Sequence, residues 1–217
     1  MSMQDWISFY ETFFPSPEEA QKFVHRCETL APTGAPVPQI VIAPKIMMHQ
    51  TQRLVSLGDD VKIIRPGHDA LQLLFYLVCA ENIAKLFDDF DKEGQSRKYV
   101  RMFFAEFLEQ EEKEIIATTF LLPVKNTCLD LDGAIDLLYD VRCNVVHDGL
   151  YWRFSFAAPK KPAPMSIAST KNDLYIVIKL QKATFRSLLI KGCIRAISRK
   201  LNEPRRHLGT CIPAEHI

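Results

Sequence analysis

Apolar residues along the 217-residue chain fall mostly at helical spacing, and period-two alternation is confined to two stretches of the C-terminal third. Trp6, Ile7, Phe9, Tyr10, Phe13 and Phe14 make a first helical face, which Pro15 stops. Ser16-Pro17-Glu18-Glu19 predicts a capping box, with Ser16 as the cap, Pro17 in the first turn and Glu19 reaching back. A second helix follows it to about residue 30. Residues 31–38, with three prolines and a glycine, form a loop. A short strand over 39–43, a helix over 45–57 and a turn at Gly58-Asp59-Asp60 come next.

Pro66-Gly67 resets the pattern, and Asp69 is the predicted cap of a long helix over 70–90. Leu73, Leu77, Ala80, Ala84 and Phe87 form its stripe, and Leu74, Phe75 and Val78 widen it enough to mark a buried central helix. Glu81 interrupts that run; an acid there needs a partner or water, and the pattern places it at a solvent-facing edge. Ser96 is the predicted cap of the next helix, whose core side is Val100, Phe103, Phe104, Phe107, Leu108 and Ile115, with Glu109, Glu111, Glu112 and Glu114 opposite. Arg97, Lys98 and Arg101 stand at its start, where the helix dipole disfavours cations, a placement that suggests an anion site. A third helix of this group is capped by Asp130 or Asp132, buries Ala134, Leu137, Leu138, Val141 and Val145, and stops at Gly149.

Past Gly149, Leu150, Trp152, Phe154 and Phe156 alternate with polar positions, as do Leu174, Ile176, Ile178 and Leu180. The two predicted strands are joined by the Pro/Lys-rich stretch 159–164 and make a two-stranded antiparallel ribbon within 150–180. The last helix, over 182–201, buries Phe185, Leu188, Leu189, Cys193 and Ile197 and leaves Lys191, Arg195 and Arg199 on one face. The fold class that follows is mainly α: an antiparallel helical bundle with a small two-stranded β addition. Residues 1–65 form an N-terminal helical extension, and 66–217 form the principal domain with the ribbon and the basic terminal helix.

Composition changes this picture little, whereas charge changes it more. A content of 47% hydrophobic and 24% charged residues is ordinary for a globular protein, and the longest candidate stretch, 70–80, is far too short for a membrane span. With no basic segment ahead of an apolar one at the N-terminus, a cytoplasmic protein without membrane contact is expected. The six cysteines and six histidines show no ligand spacing, so the cysteines are expected to be reduced core residues, with no metal and no cofactor. Residues 1–150 carry 14 Lys+Arg against 23 Asp+Glu, and residues 151–217 carry 13 against 3. This asymmetry fits either a polyanion-binding C-terminal third or two halves that attract each other.

Candidate chemistry concentrates at the end of the third helix of the central group. Asp136, Asp140, Asn144 and His147 share one polar stripe, and Arg142 lies about 140° from His147 at 100° per residue, so the two do not meet on one straight helix. Histidine titrates nearest neutrality and arginine presents a planar fork to phosphate oxygens, a pairing suited to cutting RNA without a metal. The plainer alternative is that His147 finishes its helix while Arg142 pairs with Asp140 or Glu81. Arg153, Lys160, Lys161, Lys191, Arg195 and Arg199, with Arg205 and Arg206 beyond, are candidate phosphate contacts.

Arg142-Cys-Asn-Val-Val-His147, with Leu137-Leu-Tyr-Asp-Val before it and Asp148-Gly149 after it, resembles the R-x(4–6)-H signature of the HEPN superfamily, over roughly residues 66–150. The resemblance implies a helical bundle, homodimerisation and, in many members, metal-independent endoribonuclease activity. It also implies His147 as general acid/base, Arg142 as the group that neutralises the scissile phosphate and Asn144 as the polar helper inside the motif. The family commonly has that helper directly after the arginine, where this chain has Cys143. Asp140 is placed to orient His147 or to pair with an arginine. A site shared across a two-fold axis would bring equivalent motifs together. The expected partners are RNA, a second copy of the chain and a protein antitoxin or regulatory partner. A non-catalytic HEPN-like RNA-binding or dimerisation module is the alternative.

Overall fold

The computed structural model describes residues 2–30, 39–88, 94–167 and 174–203. Among these are eight α-helices and one small antiparallel sheet, so the chain is mainly α. The expectation for Arg205, Arg206 and Cys211 lies outside the described residues, as does the loop at 31–38.

Helix α1 (Met3–Tyr10) continues into a 3-10 turn at Glu11–Phe13, and α2 (Pro17–Glu28) starts at the Ser16 cap, whose hydroxyl accepts the Glu19 N–H. Helix α3 (Gln39–Ile64) is continuous, which overturns the strand at 39–43 and the turn at 58–60. Pro44 interrupts only the beginning of this helix, where few backbone bonds are lost. Gly58 serves a close approach instead of a turn: a Cβ there would stand 2.7 Å from Tyr76 Cε1. Tyr10 donates its hydroxyl to Met48 O at 2.7 Å, so α1 is pinned to α3 inside a core shared with the rest of the bundle.

Helix α4 (Asp69–Phe87) packs against α3, α5 (Ser96–Phe107), α7 (Leu131–Asp148) and α8 (Lys182–Asn202). By length and composition it could cross a membrane, beyond what the run 70–80 suggested; here it is the buried centre of a helical bundle. Asp69 sits in its first turn without capping it, and its carboxylate accepts the Phe156 N–H at 2.9 Å. The helix expected to run on from Ser96 breaks at Leu108, and α6 (Gln110–Thr118) restarts behind a capping box of Glu109 and Glu112. The break rotates the pattern, so Ile116 is buried and Ile115, expected in the core, is exposed. Asp130 caps α7 by accepting the Gly133 N–H at 2.8 Å, and Gly149 ends it in the left-handed conformation at φ 66°.

The sheet has four strands where two were expected, in the order β2-β1-β4-β3. A hairpin of β1 (Phe120–Leu122) and β2 (Thr127–Cys128) joins β4 (Leu174–Ile178), with Phe120 opposite Ile178. The partner of β4 on its other side is β3 (Ala163–Ile167), which starts at the end of the stretch 159–164 expected to join the strands, and residues 150–156 form no strand. The expected alternation holds as burial only in its second half: Phe154 and Phe156 insert into the core while Trp152 is exposed, and Ala157 N–H donates to Leu180 O at 2.9 Å. Backbone pairing depends on neighbours far along the chain, which periodicity alone does not identify.

Gly192 of α8 faces Phe103, where a Cβ would meet the ring at 2.8 Å. Alanine in an exposed helix gains about 1 kcal/mol over glycine. Here the overpacking of a fully buried ring, about 1–3 kcal/mol, exceeds that gain. Gly192→Ala is therefore expected to lower the urea midpoint; a raised midpoint would contradict the packing described.

Candidate functional site

The polar cluster nearest the Arg-x-x-x-x-His segment is built on Glu81. This acid belongs to the most apolar helix of the fold and is buried, not at a solvent-facing edge. Lys85 Nζ, one helical turn on, lies 2.5 Å from Glu81 Oε1, and the Ser96 hydroxyl donates to the same oxygen at 2.6 Å. Arg142 Nη2 approaches the other oxygen at 3.5 Å. One carboxylate thus links α4, the start of α5 and α7, with its charge shared between two cations.

Arg142 is half-buried, and its guanidinium lies 5.3 Å from the centre of the Tyr139 ring. The Arg97 guanidinium is 4.9 Å from that ring. The Arg142 Nε–H is shielded and has no hydrogen-bond partner among the described residues. Burial raises the Tyr139 pKa above its ordinary value.

The basic start of α5 is not an open anion site. Arg97 binds Asp140 at 2.5 Å, and Arg101 is engaged by the Asp136 carboxylate, so these cations clamp α5 to α7. The Arg101 hydrogen bonds hold the Asp136 carboxyl below the usual carboxylate range. Two ionic clusters thus flank the Tyr139 ring: Lys85 and Arg142 on Glu81, and Arg97 and Arg101 on Asp136 and Asp140.

His147 is exposed in the last turn of α7, while Arg142 turns toward α4, as the wheel requires. Asn144 is half-buried, and its carbonyl accepts the N–H groups of Gly149 and Leu150, so it closes the helix end. Asp140 holds Arg97; no contact between Asp140 and His147 is present. Half-buried Cys143 stands beside Arg142. Among the described residues no group of three or more His, Cys, Asp or Glu side chains could hold a metal ion.

The expected phosphate contacts divide into two groups. Arg153, Lys160 and Lys161 are exposed on the segment after α7. Those of α8 face the acids of α6: Arg195 forms a two-pronged pair with Glu112, at 2.6 and 2.9 Å, and a further contact to Glu109 at 3.1 Å. Lys191 reaches Glu112 at 3.9 Å, and Arg199 lies over the Phe107 ring at 5.4 Å. The sequence offered Glu81 only as an alternative partner of Arg142, a pairing that is present, and it gave Lys85 and Ser96 no part in a site.

Comparison with protein families, curated proteins and solved structures finds no match for this chain.

Burial alone would raise the Glu112 pKa, but the Arg195 hydrogen bonds, the Glu109 N–H and the charges of Arg195 and Lys191 together outweigh it and hold the carboxyl below its ordinary value. That contribution to stability is complete above the ordinary glutamate range and is lost as pH falls through the lowered folded-state value. Arg195→Ala is expected to reduce unfolding free energy at pH 7 by roughly 1.5–3 kcal/mol, as for a lost hydrogen bond to a charged group. The difference from wild type should shrink below about pH 4. Urea melts across pH 3–7 test this, and equal midpoints at pH 7 would contradict it.

Proposed function

We propose that the chain is a metal-independent endoribonuclease of HEPN type, acting in the cytoplasm as a homodimer on single-stranded or looped RNA. The observation that carries this reading is the placement of Arg142: its guanidinium is held between Glu81 and the Tyr139 ring on the same helix that exposes His147.

Each part has a task in cleavage by the RNA's own 2′-hydroxyl. His147 takes the 2′-OH proton as the O2′–P bond forms, and the P–O5′ bond breaks as a proton is delivered to the leaving 5′ oxygen. The products are a 2′,3′-cyclic phosphate and a 5′-hydroxyl. Arg142 stabilises the charge that grows on the non-bridging oxygens, and its fixed position lowers the reorganisation needed at that moment. Because Arg142 and His147 diverge on one helix, two copies of α7 brought together about a two-fold axis supply the complete set. His147 of one copy then acts as base and its equivalent in the second as acid. Asn144 supports the helix end, and Asp140 acts on the site through Arg97.

A second reading is a non-catalytic HEPN-like module that binds RNA or a protein such as an antitoxin. The observations that favour it are Cys143 in the place where the resembled family commonly carries its polar helper, and the contact of Arg142 with Glu81.

Incubation of the purified protein with single-stranded RNA in EDTA is expected to yield 2′,3′-cyclic phosphate ends. His147→Ala should slow cleavage by about 10²–10⁴-fold without shifting the unfolding curve. Cleavage undiminished by that substitution would remove the proposal. RNA binding that survives Arg142→Ala, with no product from wild type, would establish the second reading.

A further inference from the structure

The segment that follows α7 carries features the cleavage chemistry does not use. Leu150 N–H donates to Asn144 O at 3.0 Å and Tyr151 N–H to Gly149 O at 3.1 Å, so the chain leaves the helix on a fixed path. Phe154 and Phe156 are buried and anchor it three and five residues later. Between these anchors Trp152 is 60% exposed and Tyr151 37% exposed. Their rings meet edge to face, 5.2 Å between centres at 82°, and Tyr151 makes a similar contact with His68 at 4.9 Å. An indole held outward by packed neighbours is unusual for a side chain that gains free energy from burial.

The segment that carries this indole holds charges of one sign. Residues 149–162 contain Arg153, Lys160 and Lys161 and no acid. Lys160 sits at φ 61° in a tight turn closed by Lys161 N–H donating to Ala158 O at 2.9 Å, which leaves both lysines exposed. The flanking acids are Asp148, exposed at the end of α7, and Asp69, occupied by the Phe156 N–H. A two-fold contact centred on this segment would set its three cations against their own copies, so self-association there is disfavoured. Exposed aromatic faces with interspersed cations suit a strand of RNA whose bases are unstacked.

We infer that Trp152, braced by Tyr151, is a stacking platform for one unpaired base of an RNA strand, with Arg153, Lys160 and Lys161 contacting the phosphates on either side. The inference rests on the ribonuclease reading, since it names the substrate class of that site: RNA single-stranded next to the scissile bond. The platform begins five residues after His147, so the stacked base lies close to the cleaved linkage. It acts on binding and carries no proton.

The protein reports on its own platform. It has two tryptophans, and Trp6 is buried and stacked on His49, so an emission change on adding RNA comes from Trp152. The full chain is titrated with a single-stranded 12-mer and with the same sequence as a duplex. The single strand should quench emission and the duplex should not. Trp152→Ala should weaken single-strand binding about 5- to 150-fold, the range for loss of one stacked base, while Trp152→Phe should retain most of the affinity. Binding or cleavage of the single strand with unchanged emission, and with Trp152→Ala equal to wild type, would overturn the platform and leave the nuclease reading standing. Absence of both binding and cleavage would overturn both. Shielding of Trp152 from acrylamide without RNA, growing with protein concentration, would assign the indole to a second copy and overturn the inference.

Discussion

A carboxylate inside the most apolar helix of the bundle is the constraint on which the arrangement of α4, α5 and α7 depends. Burying such a charge alone costs several kcal/mol, and Glu81 avoids that cost only because three partners converge on it from three places in the chain. Lys85 comes from the next turn of the same helix. Ser96 fixes where α5 begins, and Arg142 fixes the rotation of α7 about its own axis. That rotation turns Asp136 and Asp140 toward Arg97 and Arg101 and leaves His147 outside. The distribution of chemistry along α7 is thus a consequence of how one buried acid is satisfied.

The charge asymmetry between the two parts of the chain is resolved in the same way. Arg186 of α8 binds Asp59 of α3 at 2.8 Å, and Arg195 binds Glu112 of α6, so much of the basic character of α8 is used within the molecule. Attraction between the halves accounts for these residues. Arg153, Lys160 and Lys161, on the segment after α7, stay exposed, as do Lys179, Lys191 and Arg199.

How much of this was legible in the sequence follows from the range of the interactions involved. The core of α7, the stop at Gly149, the buried stripe of α8 and the divergence of Arg142 from His147 all depend on local periodicity, and each is found as the spacing predicts. Gly58 and Pro44 read locally as breaks, yet α3 runs through both, because contact with Tyr76 selects a glycine inside the helix. β3 and the hairpin of β1 and β2 exist because β4 lies between them, and no window of a few residues contains that information. Glu81 was visible as an anomaly with Arg142 as one of the pairings open to it, but its partners lie 4, 15 and 61 residues away, so the convergence of three groups on one carboxylate was not legible.

Arg142 is a held cation, oriented by the Glu81 carboxylate that it shares with Lys85. A double-mutant cycle on Glu81→Gln and Arg142→Gln, read from urea unfolding at pH 7, tests this most directly. The account predicts a coupling of roughly 0.5–3 kcal/mol between the two substitutions. Additive effects would mean that the two side chains do not sense each other, and the held arginine, with the site built on it, would be contradicted.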